Sequence, residues 1–291
     1  FQLTRMIVYK SRGWQYLSKL VQFRGSVFPH VFLIAFPNAV VAAWLQWSVV
    51  NDKVNNWLGV DNVTLSNNSL WSTFTFLVGF LVIFRTSQAY ARFQEGCTTT
   101  YRMRAEWFDA CSSVIAFCKY SDVEESRVTN FKRMCVRLFS MLHAVALAEI
   151  EDRNHDVDIE DVRAFKFELL DAAGLGEESL LHIERAQSKT ELLFQWCQQV
   201  IVENIHTGIM SVPPPLLSRA FQEMSNGHVA FTDAIRLSSI PFPFPYSQTA
   251  DILLIVHWLL VPIATAQWTT SFWWAGVFSF IQVLVLWVLN F

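Results

Sequence analysis

The chain alternates between long apolar runs and a polar middle. Val27 to Val50 is the first run, 24 residues without a charge. At about 1.5 Å per residue a helix of that length crosses a ~30 Å hydrocarbon layer with some tilt. Pro29 falls near its start, where a proline costs little, and Pro37 falls inside it, where a kink is predicted. Trp44 and Trp47 lie near its far end, in the position of interface anchors. Leu70 to Phe84 is the second run, and its helical pattern continues through Arg85, Tyr90 and Arg92. An arginine at that boundary is predicted to snorkel or to face a wet cavity. Ile252 to Phe291 then runs for 40 residues without a charge, which is two spans' worth, with a turn near Thr269-Thr270-Ser271 and a kink at Pro262. Before it, Ile240 to Tyr246 (IPFPFPY) reads as a rigid extended approach, because each proline forces its predecessor out of the α region.

Between the second and third runs the pattern changes. Residues 90–235 are acidic, and apolar positions recur at helical spacing over Trp107–Phe117, Phe131–Leu147 and Leu180–Ile205. Gly174-Leu175-Gly176 and Val212-Pro213-Pro214-Pro215 read as breaks between helices. No β-alternation of useful length and no internal repeat is present. The pattern predicts an all-α, multi-pass membrane protein with four membrane segments and a large helical cytoplasmic-side domain. Its parts are a basic N-terminal arm (1–26), the first and second membrane segments (27–96), a helical extramembrane domain (97–240) and the third and fourth membrane segments (241–291). The arm carries Arg5, Lys10, Arg12, Lys19 and Arg24 and no acid, while the Asn-rich loop 51–69 is weakly acidic. The positive-inside rule therefore places the arm, and with it residues 90–235, on the cytoplasmic-type side. Asn62-Val63-Thr64 and Asn67-Asn68-Ser69 are glycosylation-type triplets in the opposite loop, of a kind that Asn-rich loops produce by chance.

Composition narrows the function. Of 291 residues, 53% are apolar, 15% aromatic and only 16% charged, against about 25% charged in a soluble domain. The net charge of −3 argues against a nucleic-acid partner. The chain opens at Phe1 without a Met and stops at Asn290-Phe291 inside an apolar run, as a fragment of a longer precursor would. Five cysteines (97, 111, 118, 135, 197) form no CxxC, and Cys111 and Cys118 share a helix face as two packed thiols; the pattern favours a reducing side. The segment Asp152-x-Asn154-x-Asp156-x-Asp158-x-Glu160 has Val157 where a calcium loop needs Gly and Arg163 where it needs Glu, so it reads as a solvated acidic connector. His30 and His257 lie in or at spans and read as buried structural donors. No nucleophile–base pair, metal-ligand spacing or cofactor fingerprint is present, so neither an enzyme nor a cofactor is expected.

The informative segment is Ser72 to Arg85. At 100° per residue Phe76, Phe80 and Phe84 fall on one helix face, and Thr73 and Ser87 extend the stripe. Such a stripe in a membrane helix commonly faces lipid or another helix, since periodicity does not say what a face contacts. It can also line a pore neck. Several copies around an axis would stack the phenylalanines into apolar rings that gate by dewetting and attract anions to their electropositive edges.

From Phe84 to Gly96 the chain reads FRTSQAYARFQEG, which resembles the run that follows the second span in the bestrophin family, bacterial and chloroplast-type members included. Phe93 stands where the family usually has Trp. Arg24-Gly25-Ser26-Val27 before the first span and Pro243-Phe244-Pro245-Tyr246-Ser247-Gln248 before the third agree with the same family. The resemblance implies a homopentameric chloride or bicarbonate channel with a single pore lined by the second span. It puts the neck at Phe76, Phe80 and Phe84, with Thr73 and Ser87 as pore flanks, and a second constriction at Val212 and Leu216. Calcium-gated members bind the ion after the fourth span, beyond Phe291, so no metal ligand is assigned.

Two other readings stay open at this level. The same fold can serve as a non-conducting structural subunit of a larger organellar membrane complex, packing through its Trp-rich last span against other subunits. A proton-coupled carrier using His30 or His257 is disfavoured, because neither Val27–Val50 nor Ile252–Phe291 holds a carboxylate. The expected setting is an integral, multi-pass place in a lipid bilayer. The sequence does not separate an organellar membrane (thylakoid or mitochondrial) from the plasma membrane.

Overall fold

A computed structural model describes residues 26–50, 68–152, 177–210 and 212–290. The arm, the 51–67 part of the polar loop with its first triplet, the acidic connector and the Gly174-Leu175-Gly176 break lie outside the described residues. Eight α-helices follow in order among the described ones: α1 (Phe28–Val50), α2 (Asn68–Phe117), α3 (Glu125–Asp152), α4 (Glu177–Arg185), α5 (Lys189–His206), α6 (Pro214–Ser239), α7 (Phe244–Trp268) and α8 (Phe272–Asn290). No strand occurs among the described residues. The fold is all-α, and α1, the first part of α2, α7 and α8 are long and apolar enough to cross a membrane.

Three boundaries differ from the sequence reading. The second apolar run and the Trp107–Phe117 pattern are one unbroken helix of 50 residues. The Leu180–Ile205 pattern is broken at Ala186–Ser188 into α4 and α5. The IPFPFPY segment is extended only to Pro243, since α7 already begins at Phe244 with Pro245 in its first turn. A first-turn proline gives up only an N–H that has no partner in the helix anyway.

The chain forms two compact units, Phe1–Ala89 with Phe242–Phe291, and Tyr90–Pro241. In the first, α8 runs along α1, and α7 packs on both. Small residues allow this: Ala35, Ala42, Ala275 and Ser279 are buried. A Cβ on Gly276 would stand 3.3 Å from the Ala39 carbonyl oxygen and 3.5 Å from the Ala43 Cβ. Close approach of backbones is how helices associate where lipid removes the hydrophobic drive between them.

Pro37 and Pro262 both lie inside unbroken helices. Pro262 has no N–H for the carbonyl of Trp258, four residues earlier. That carbonyl instead accepts the Asn38 Nδ2 at 2.6 Å. The Asn38 Oδ1 accepts the Ser279 hydroxyl at 2.6 Å, and the Trp258 indole donates to the Ile34 carbonyl at 3.2 Å, beside the backbone group that Pro37 leaves free. At the end of α7 the Gln46 side-chain amide donates to the Thr269 carbonyl. Each bond joins two helices and satisfies a group that hydrocarbon cannot.

The second unit has a continuous apolar core. It draws Met103, Trp107 and Val114 from α2, Phe131, Leu138 and Leu142 from α3, Leu193, Cys197 and Ile201 from α5, and Met224 and Phe231 from α6. Trp107 donates its indole N–H to the Met224 carbonyl at 3.2 Å. Gly227 provides the notch for that ring, because a Cβ there would meet it at 2.4 Å. After α5 the chain reverses through Gly208 at φ +79°, a left-handed conformation that suits glycine at a helix end.

Candidate functional site

The first half of α2 has two unlike faces. Val78 and Val82 are buried against Leu254 of α7 and Leu286 of α8. Trp71 is buried too, stacked on the His257 ring at 5.3 Å and edge-on to Trp268 at 6.0 Å. On the other side, Phe76 is 73% exposed, Phe80 58% and Phe84 43%. The three therefore make no part of the core of their own unit, although α2 had buried aliphatic positions within two residues of each. Thr73 and Ser87 are exposed as well. Thr73 donates its hydroxyl to the Ser69 carbonyl at 2.8 Å and Ser72 donates to the same oxygen at 3.0 Å, closing the first turn of the helix.

The face is uncharged. The first charge after it in the sequence, Arg85, is paired: its Nη1 bonds the Asp251 carboxylate at 2.6 Å and the Asn290 Oδ1 at 3.0 Å. Thr86 adds a hydroxyl bond to the Leu289 carbonyl at 2.8 Å. The start of α7, the end of α8 and the middle of α2 are thereby tied together within the first unit. A cation so paired has its charge offset by the carboxylate of this clasp.

Other residues of the same motif are also structural fasteners. In the second unit Arg92 donates to the carbonyls of Leu237, at 2.9 Å, and of Ile240. These are orphan acceptors at the C-terminal end of α6, where a cation also complements the helix dipole. One turn on, Glu95 lies 4.0 Å from Arg236 in the last turn of the same helix. Gln94 donates to the Tyr90 hydroxyl at 2.7 Å. In the first unit Pro243 caps α7, its carbonyl accepting the backbone N–H of Tyr246, whose ring meets Phe242 edge-on.

Val212 is half-buried and Leu216 is 54% exposed, on either side of Pro213 and Pro214 where α6 begins. His30 is exposed in the first turn of α1, contrary to a buried donor. His257 is fully buried, but both of its ring nitrogens lack a partner among the described residues; it is held by aromatic stacking on Trp71 and Phe74 instead. All five cysteines are free, and burial pushes the Cys135 and Cys197 thiols up, which keeps them protonated and inert. No group of three or more metal-ligating side chains gathers among the described residues. Spacing gave no access to Asp251, Asn290, Asn38 or Ser279; the one available signal was a polar residue standing alone inside or beside an apolar run.

The fold and these fastenings define a multi-pass helical membrane protein with an uncharged aromatic face left outside its own core. The family profile described as bacterial/fungal bestrophin protein matches residues 6–290. The chain belongs to the bacterial/fungal bestrophin family. No curated protein matches the sequence. Among solved structures, a bacterial bestrophin homolog from Klebsiella pneumoniae carrying one substitution is similar, with a TM-score of 0.70 and 13% identity over 89% of this chain and 86% of that one. A second substituted form of the Klebsiella pneumoniae homolog gives 0.67 at 16% identity, over 91% of this chain and 87% of that one. A structure described only as a membrane protein gives 0.68 at 14% identity, over 88% and 84%. At these identities the likeness concerns the fold.

Proposed function

We propose that the protein is a passive anion channel for chloride or bicarbonate, a homopentamer whose neck is formed by Phe76, Phe80 and Phe84 from each copy. The observation that carries this reading is the exposed aromatic stripe on α2, opposite the face that packs on α7 and α8. Stacked rings of benzyl groups would enclose a narrow, dry passage that opens by wetting and favours anions through the ring edges. With Arg85 turned into its clasp, no fixed cation holds the ion, which suits weak binding and fast passage. Thr73 and Ser87 would flank the neck, and Val212 and Leu216 would form a second constriction. Residues 97–240 would be the extramembrane domain on the cytoplasmic-type side, between membrane segments 27–96 and 241–291.

The test is reconstitution in a planar bilayer. Phe80→Ala is expected to raise the chloride current several-fold or abolish its gating; a current unchanged in size and selectivity overturns the neck. The rival reading, a structural subunit of a larger organellar complex, is favoured by the exposed aromatic face of α8, where Trp273 and Trp274 stand 72% and 58% exposed. Native mass of the detergent-extracted particle separates the two. Five identical copies support conduction, and one copy among different proteins removes the pore.

A further inference from the structure

A cavity of about 440 Å³ opens in the second unit between α2 and α3. Its size is that of a small-molecule site. Trp107, Phe108, Ile115, Val136 and Phe139 give it apolar walls, and Cys111, Ser112 and Ser140 add small groups with little polarity. Arg104 and His143 also line it, on the two helices at neighbouring levels. Arg104 is exposed, and no described carboxylate lies within ion-pair distance of it, whereas on the same helix Arg85 and Arg102 each have a carboxylate partner and Arg92 bonds two carbonyls. Burial first, and the Arg104 charge second, push the His143 imidazole down, so that it is a neutral hydrogen-bonding group at pH 7. An apolar slot with one unspent guanidinium and one neutral imidazole has a definite complement. It is a hydrocarbon body bearing a single anionic head.

We propose that this cavity binds amphipathic carboxylates of medium chain length, with the carboxylate on Arg104, the imidazole of His143 donating a second hydrogen bond, and the hydrocarbon between Trp107, Phe108, Ile115 and Phe139. The guanidinium fork matches a carboxylate bidentately, which a neutral or cationic head cannot exploit. The site is distinct from the neck and stands whether or not the neck conducts.

The experiment uses the full chain in lipid nanodiscs and titrates sodium octanoate by calorimetry, with empty nanodiscs as the blank and 1-octanol as the uncharged control. Saturable binding of octanoate is expected, strengthening about fourfold for each methylene from butanoate to octanoate. Arg104→Gln, a substitution on the exposed surface, is expected to weaken octanoate at least tenfold and leave octanol within twofold; Arg104→Lys recovers part of the loss. Ser140→Trp, which fills the cavity, is expected to remove both. Octanoate heats equal to those of empty nanodiscs overturn the proposal, as they would if a neighbouring copy filled the cavity. Octanoate affinity that is indifferent to Arg104→Gln overturns it equally, since binding would then be partition into lipid.

Discussion

The two units of this chain are helical, but they are held together by different means. The unit of α7, α8, α1 and the first part of α2 packs small residues together and exposes large ones. Ala35, Ala42 and Ala275 are inside, while Phe32, Phe36, Trp44 and Trp273 are outside. Its specificity comes from polar atoms that cross between helices: Asn38 to Trp258 and Ser279, Arg85 to Asp251 and Asn290. The Tyr90–Pro241 unit does the reverse. Large side chains such as Trp107, Phe131, Met224 and Phe231 fill its centre, which is apolar from Met103 to Phe231. The difference is what solvent would produce with the first unit in lipid and the second, as proposed, in water. In water, burying apolar surface is itself the driving force, whereas in lipid only close fit and satisfied polar groups favour one helix pairing over another.

The contrast can be broken by substitution. The largest effect is expected from Phe231→Ala, which empties the centre of the second unit and should cost about 3–5 kcal/mol, seen as a large fall in the melting temperature of the detergent-solubilised protein. Gly227→Ala forces a methyl group onto the Trp107 ring and should cost about 1–3 kcal/mol by the same assay. Asn38→Leu adds apolar surface, yet should destabilise the first unit by about 1–2 kcal/mol, because the carbonyl freed by Pro262 and the Ser279 hydroxyl lose their partner. If added apolar surface stabilised this unit, the distinction between the two would fail. Phe80→Ala should change stability by less than about 0.5 kcal/mol, since Phe80 stands 58% exposed and outside the buried core of its own unit. A stability loss in the monomer with no change in current would place the ring in a core and not in a neck.

The smallest effect concerns pH. Glu223 shares a hydrogen bond with Glu106, and this raises its affinity for a proton above that of an ordinary glutamate. The folded protein therefore holds that proton more tightly than the unfolded chain does. The stabilisation is complete below the ordinary glutamate range and is lost as pH rises through the raised value. Glu223→Gln should flatten this part of the stability profile, measured as melting temperature between mildly acidic and neutral pH. A profile that keeps its slope would assign the dependence to other carboxylates.

Much of the architecture was legible in one dimension. Twenty-four charge-free residues can hardly do other than span, and the turn at Thr269-Thr270-Ser271 stands where α7 gives way to α8. The motif beginning at Phe84 led to the family. Its individual residues did not disclose their partners: Arg85 is a clasp to residues 166 and 205 positions away. His257 read as a buried donor, and it donates nothing to a described residue. Local pattern carries no information on partners so distant, because many side chains of equal polarity compete for them until the backbone is placed.

The sequence alone determined which residues share a face and which lengths can cross a bilayer, because helix rise and the 3.6-residue period are properties of the backbone itself. It put Phe76, Phe80 and Phe84 in line by that arithmetic. Only the tertiary structure decided that the opposite line, Val78 and Val82, is the one packed inward, and that α2 and α3 leave a slot beside Arg104. Those outcomes depend on which helices meet and how closely, and that is settled by the summed fit of side chains far apart in the chain.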